Sequence, residues 1–394
     1  MPEPPVAAPA KARSAHQVPF GVNEVRLNAR HWLAVALILV LIALLTPRLW
    51  ENIERLETGP DYRLPYSLSK DYWLYGRRLR QEARPPKTIV LGDSVVWGEY
   101  VLPDATLSHF LGQETGQPDR FVNAGVNGMF PLALEGLVRY YGGALSRRQV
   151  LLHCNVLWMT SPKADLRVDK EEQFNHARLV PQFSPRIPCY KADANERLTA
   201  VVEREVPFLA WVAHLQNAYF KQKSILSWTL EDDGGDPPQY PNVRKNPFAQ
   251  ITLALPAAPA NDPDRGPRSP RHKAWSDAGN NPVHYDWVGL DASLQWGAFQ
   301  RLAELLRARG NDVLVLLGPF NEHLMDPENR PAFRKLREGI IAWLSSNQIP
   351  YVAPELLPSL LYADASHPLS EGYALLAKRV NADAAFQNWL KRGE

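Results

Sequence analysis

Ser94 ends an apolar run, in Thr88-Ile89-Val90-Leu91-Gly92-Asp93-Ser94-Val95-Val96-Trp97-Gly98, and its hydroxyl could serve as a nucleophile. Such a run reads as a buried strand stopped by a tight turn, which delivers the hydroxyl to the carboxyl edge of a sheet, where open α/β folds build their sites. Far downstream comes Asp364-Ala365-Ser366-His367-Pro368. A histidine with a carboxylate three residues before it supplies the other two parts of a Ser-His-Asp relay. The imidazole takes the serine proton, and the carboxylate fixes its tautomer and stabilises its charged form. Either fragment alone is common by chance. Between them stand Asn123-Ala124-Gly125-Val126-Asn127-Gly128, after a strand over 120–122, and His153-Cys154-Asn155, after a strand over 149–152. Each puts a small or amide residue just past a strand end, where a backbone N–H or a side-chain amide can face a developing oxyanion.

In this order the blocks resemble the SGNH (GDSL-type) hydrolase superfamily, named for a Ser, a Gly, an Asn and a His. The matching residues are Ser94, with Gly-Asp-Ser-x-x-x-Gly completed by Gly98, then Gly125, then Asn155, then His367 with Asp364. The resemblance covers 85–157 and 292–392 and implies an acyl-enzyme on Ser94. Its oxyanion would be held by the amides of Ser94 and Gly125 and by the side chain of Asn155. The chain departs from the family at the third block, where His153-Cys154-Asn155-Val156 stands for the usual Gly-x-Asn-Asp. The amide is kept and its neighbours are changed. Asp93 reads as a turn residue, because adjacent strand-end residues point in opposite directions. His323, after the strand that ends near Gly318, is the alternative base, and His153 reads as a strand residue.

Strands and helices that could position these groups alternate on either side of a gap. The first set is strand 87–92, helix 104–115, strand 120–124, helix 131–146 and strand 149–154. The second is helix 294–309, strand 312–317, helix 330–346, strand 350–353 and helix 369–390. The pattern predicts an α/β fold: a three-layer, doubly wound, five-stranded parallel sheet in flavodoxin-like order, the catalytic domain occupying 60–157 and 292–394. A short helix is expected within 66–83, ended by Pro85-Pro86. The segment 158–291 is an insertion. Leu198, Val201, Val202, Val206, Leu209, Val212 and Leu215 recur at near-helical spacing and predict a packed helix, and 231–281 is dense in Pro, Gly, Asp and Asn and predicts irregular loop. Rooted beside Asn155, the insertion would overhang the sheet edge and select substrate, unless it is an expendable surface loop.

The 394 residues are 45% apolar, enough to fill a proper core, and the net charge of +2 is interspersed, which argues against a nucleic-acid partner. Residues 1–30 are Pro- and Ala-rich and predict a disordered tail. The uncharged run 32–45, flanked by Trp32 and Trp50, predicts an uncleaved transmembrane signal-anchor over 31–50; a cleaved signal and a buried soluble helix are the alternatives. Lys11, Arg13, Arg26 and Arg30 precede it, so the tail should stay in the cytoplasm and the body should be exported. Cys154 and Cys189 could pair in an exported protein or be two unrelated buried thiols. No ligand-spaced His, Cys, Asp and Glu set and no glycine-rich phosphate cradle is present, so neither metal nor cofactor is expected.

Three classes of function follow. One is an esterase that removes acyl groups, acetyl above all, from carbohydrate or lipid. A second is an O-acyltransferase acting on a cell-envelope polysaccharide, an architecture that the single N-terminal helix resembles; it would need a membrane partner that delivers acyl groups. The third is a carbohydrate-binding or assembly protein that keeps the fold without turnover.

Overall fold

The computed structural model describes residues 27–56, 58–59, 61–82, 87–168, 175–231, 244–255, 272–277, 279 and 281–393. Five strands, β1 (Thr88–Gly92), β2 (Phe121–Gly125), β3 (Gln149–Cys154), β4 (Asp312–Leu317) and β5 (Tyr351–Val352), form one all-parallel sheet in the order β2-β1-β3-β4-β5. Their leucine- and valine-rich sequences are buried on both faces, as a parallel sheet covered by helices requires. Ile89, Leu91, Val150, Leu152 and Val313 pack with the helices Pro131–Tyr141, Leu294–Ala308 and Arg330–Ser346. The alternate residues Val90, Leu151, Leu314 and Leu316 pack with Leu107–Glu114, Ser370–Ala382 and Ala384–Lys391. The result is three layers. The order reverses direction between β1 and β3, so a crevice opens at their carboxyl ends, where Asp93 and Ser94 follow β1 and Asn155 follows β3.

Several boundaries differ from the sequence reading for local reasons. The helix expected at 104–115 starts at Leu107, because Thr106 caps it and Pro103–Ala105 makes a separate 3-10 turn. The helix expected over 369–390 is two helices, since the Asp383 carboxylate accepts from the N–H of Ala385 at 2.7 Å and starts a new one. In the insertion, Pro207 divides the apolar stretch into Ala194–Glu205 and Pro207–Tyr219. Of the expected packed residues Leu215 is buried and Val201 and Val212 are half-buried, whereas Leu198, Val202, Val206 and Leu209 are exposed; Ala200, Ala210, His214, Ala218 and Tyr219 are buried as well. Much of the irregular stretch expected at 231–281, and the Pro85-Pro86 break, lie outside the described residues. Cys154 and Cys189 are both buried thiols and form no disulfide.

Among the described residues one helix, Ala29–Ile53, is long and apolar enough to cross a membrane, with a mean hydropathy of 2.3. It extends past both ends of the expected 31–50. The chain divides after Thr46, Pro47–Glu394 being one compact unit, and the tail expected over 1–30 lies almost wholly outside the described residues. That unit begins earlier than the expected residue 60, and a buried charge cluster supplies the reason. Glu54 pairs with Arg77 from the helix Tyr72–Glu82 and accepts from the Tyr219 hydroxyl at 2.6 Å. His214, from the insertion, bridges Glu54 at 2.9 Å and Asp71 at 2.8 Å. All of these side chains are buried, so each charge is compensated by the others and none can leave alone. The helical half of the insertion therefore braces the segment before β1 and does not simply overhang the sheet edge.

Candidate active site

Ser94 is the first residue of the short helix Ser94–Trp97 that β1 feeds directly. Asp93 caps that helix by accepting the Val95 N–H at 3.0 Å, and Gly98 closes it in the left-handed conformation, at φ +89°, with its N–H on the Ser94 carbonyl at 2.9 Å. Arg63 clamps the far end, donating to the Trp97 and Val101 carbonyls at 2.9 and 2.7 Å. Tyr373 donates to the Val95 carbonyl at 2.7 Å. Four residues are thus held on every side, which fixes where the serine hydroxyl points.

The histidine arrives on a tight loop after β5. Ala363 N–H donates to the His367 carbonyl at 2.8 Å, and Leu369 N–H to the Leu361 carbonyl at 2.8 Å. Asn321, just past β4, grips the loop with its N–H on Ala365 O at 2.8 Å and its amide on Asp364 O at 3.0 Å. Within the loop Asp364 accepts the backbone N–H groups of Ser366 and His367, both at 2.9 Å, and His367 Nδ1 at 2.8 Å. That leaves Nε2 facing the nucleophile, and it lies 2.8 Å from Ser94 Oγ. Ser94, His367 and Asp364, from segments 270 residues apart in sequence, form one connected line: hydroxyl, imidazole, carboxylate.

Electrostatics favour the charged form of the base. Burial opposes a charge on His367, but the Asp364 carboxylate, with Glu99 and Asp93 further away, outweighs it and holds the ring above its ordinary 6.5. Burial likewise works against ionised Asp364, and the hydrogen bond and charge of His367 reverse it, leaving the carboxyl below its ordinary value.

The expected oxyanion donors fall in different roles. Asn155 follows β3 and its Oδ1 accepts the Leu157 N–H at 2.9 Å, while its amide donates to Asp93 Oδ2 at 2.8 Å. One amide hydrogen is therefore committed to Asp93. The Gly125 N–H donates to Asn123 Oδ1 at 3.1 Å, and Asn123 in turn donates to the Val96 carbonyl at 2.8 Å. A Cβ at Gly125 would sit 2.3 Å from the Trp97 nitrogen, so glycine is needed there for β2 to lie against the nucleophile helix. The Ser94 N–H, at the first helical position, has no acceptor within its own helix.

Asp93 is the hub that the sequence showed only as a turn residue. Besides Val95 it accepts from His153 Nδ1 at 3.1 Å, Asn155 Nδ2 at 2.8 Å and Trp158 Nε1 at 3.1 Å. Burial pushes its carboxyl up, yet His153 and Asn155 with these bonds bring it down to about 2. His153 is the strand residue expected, on β3, and its ring also supports the turn through Asp93. His323, the alternative base, donates from Nε2 to the Leu357 carbonyl at 3.0 Å and belongs to that loop.

Four residues at the mouth went unread in the sequence. Glu99 Oε2 lies 3.4 Å from His367 Nε2. Tyr100, at φ +69°, sets its ring edge-on to His367 at 5.4 Å and stacks on His272 of the insertion at 4.2 Å. Trp275, three residues later, donates to the Ser359 carbonyl at 3.0 Å and seats this part of the insertion beside the His367 loop. This stretch of the insertion reaches the catalytic mouth, as does Trp158 at the start of the insertion through its bond to Asp93. The signal was present in Gly98, whose turn throws Glu99 and Tyr100 back over Ser94, but it needs the left-handed geometry to be read. A cavity of 280 Å³ at the carboxyl ends of β4 and β5, lined by Val156, Leu317, Phe320 and Phe333 among others, includes neither Ser94 nor His367. No protein-family model matches the chain, and no curated protein matches it.

Proposed function

We propose that the chain is an SGNH-type serine esterase that cleaves acyl esters, O-acetyl above all, of carbohydrate or lipid through an acyl-enzyme on Ser94. The observation that carries this reading is the unbroken contact from Ser94 Oγ to His367 Nε2 at 2.8 Å and from Nδ1 to Asp364 at 2.8 Å. A binding protein without turnover would have no need of a hydroxyl held on the proton-accepting nitrogen of a carboxylate-oriented imidazole. His367 removes the serine proton, Oγ attacks the ester carbonyl, and the alcohol leaves with that proton. Water then enters by the reverse sequence. The Ser94 N–H and the second amide hydrogen of Asn155 are the donors assigned to the oxyanion. The strand order β2-β1-β3-β4-β5, which doubly wound sheets of flavodoxin type share, supports the same family reading.

The apolar helix Ala29–Ile53 favours a second reading on the same machinery, an O-acyltransferase tethered by one span, tail in the cytoplasm and body outside, that modifies a cell-envelope polysaccharide with acyl groups from a membrane partner. The test of both is the full-length chain in detergent micelles given p-nitrophenyl acetate, with and without bare oligosaccharide. Release of p-nitrophenol that disappears in Ser94→Ala supports the acyl-enzyme, and acetyl found on the sugar selects the transferase. Turnover that survives Ser94→Ala would overturn both readings.

A further inference from the structure

A Ser-His-Asp relay has no use for a second carboxylate at the imidazole nitrogen that serves the nucleophile, yet one is there. Glu99 Oε2 stands 3.4 Å from His367 Nε2, the atom that also holds Ser94 Oγ at 2.8 Å. Gly98 puts it there: the left-handed turn returns the Glu99 N–H to the Ser94 carbonyl at 3.1 Å, so the side chain lies over the nucleophile. It is not a core group, since its side chain is 25% exposed, and its ion pair is with His367. Tyr100 and His272 wall the neighbouring side. Nδ1 is already satisfied by Asp364, so Glu99 is not needed to orient the ring. Its negative charge also lies close to where an oxyanion or an anionic substrate would sit, which disfavours both.

We propose that Glu99 chooses the alcohol half of the ester: it accepts a hydrogen bond from a hydroxyl vicinal to the oxygen being acylated or deacylated, so the site takes polyhydroxy partners such as sugars in preference to simple alcohols, and rejects acidic ones. The assignment rests on the acyl-enzyme reading and names the substrate class of that site. In the transfer direction the acceptor oxygen attacks the acyl carbonyl on Ser94 and its proton passes to His367 Nε2. The tetrahedral adduct then collapses, the bond between carbon and Oγ breaks, and Oγ takes the proton back from Nε2. Nothing is oxidised or reduced. Throughout, the neighbouring hydroxyl donates to Glu99, and two adjacent hydroxyls match two adjacent acceptors, Nε2 and Oε2.

The experiment is a partition assay on the full-length chain in micelles, with p-nitrophenyl acetate as donor and ethylene glycol, ethanol or glycolate as acceptor at equal concentration. The ratio of acetylated acceptor to free acetate is read by chromatography, so the outcome does not depend on which step limits the rate. Wild type should favour ethylene glycol over ethanol, and Glu99→Leu should lower that preference by about tenfold, the loss of one hydrogen bond to a charged acceptor. Glu99→Gln, which keeps an acceptor oxygen without the charge, should retain most of the diol preference and admit glycolate. An ethylene glycol to ethanol ratio that is the same in wild type and Glu99→Leu overturns the assignment. So does a Glu99→Leu protein that releases no p-nitrophenol, because Glu99 would then act in forming the acyl-enzyme. Ser94-dependent p-nitrophenol release reports the acyl-enzyme reading separately: if wild type shows none, that reading fails first, whatever the ratios.

Discussion

Replacing Asp93 by asparagine tests whether the nucleophile turn and the Asn155 loop hang on one carboxylate. Its carboxyl is held at about 2 against an ordinary 3.8, burial resisting and His153 with the hydrogen bonds of its loop prevailing. At 1.36 kcal/mol per unit of pKa, that shift corresponds to about 2–3 kcal/mol of stability. Counting bonds gives a similar figure. Oδ2 alone accepts from Asn155 and Trp158, at 2.8 and 3.1 Å. Asparagine keeps a single acceptor oxygen, so at least one bond to a charged acceptor is lost, and such bonds are worth roughly 1.5–3 kcal/mol. Because the folded pKa is depressed, the contribution is complete above pH 4 and disappears as pH falls towards 2. Urea unfolding of the full-length chain in micelles should therefore show Asp93→Asn less stable by about 3 kcal/mol at pH 7, with the difference shrinking to about 1 kcal/mol near pH 2.5. A difference that does not change with pH, or one below about 0.5 kcal/mol at pH 7, the scatter of ordinary surface changes, would refute the reasoning.

Other expectations concern the relay and its supports. Asn155→Ala should slow p-nitrophenyl acetate hydrolysis a few hundredfold, about 3 kcal/mol for one oxyanion donor, whereas unchanged kcat would remove Asn155 from the site. His367 must be neutral to act as base, and Asp364 outweighs burial to raise its pKa. The kcat/KM profile should therefore fall as pH drops through a value above 6.5, and Asp364→Asn should move that limb to lower pH as well as reduce the rate. A fragment starting at residue 60 loses Glu54 and leaves Arg77 and His214 buried without it, so it should be less stable than one starting at residue 47 by about 3–5 kcal/mol in urea unfolding. Equal midpoints would show that the cluster contributes nothing.

Much of the frame could be read from residue order alone. The alternation of apolar runs with helical periodicity placed five parallel strands, because strands buried on both faces leave continuous Val, Leu and Ile segments. Ser94 and His367 stood out because each follows or precedes a turn signal that a sheet edge needs. Connections between blocks were harder to foresee. That Asn155 donates to Asp93 depends on which lateral neighbour an amide meets once the strands are paired, and that the Gly125 N–H is taken up by Asn123, two residues back on the same strand, depends on the side-chain rotamer. Periodicity fixes the face a side chain occupies, not its partner. The stripe from Leu198 to Leu209 misled for a related reason: spacing shows that residues share a helix face, while Pro207 and the buried His214 decide which face turns inward. Glu54 gave no signal at all, because apart from the neighbouring Trp50 its partners, Arg77, His214 and Tyr219, come from distant segments.

Trapping the covalent intermediate tests the central claim most directly. Full-length chain quenched in acid during turnover of p-nitrophenyl acetate, then digested and analysed by mass spectrometry, should carry an acetyl group on the peptide containing Ser94. The adduct should be absent in Ser94→Ala and strongly reduced in His367→Ala. Turnover that proceeds with no acetyl on Ser94, or with the label on another residue, would contradict the account.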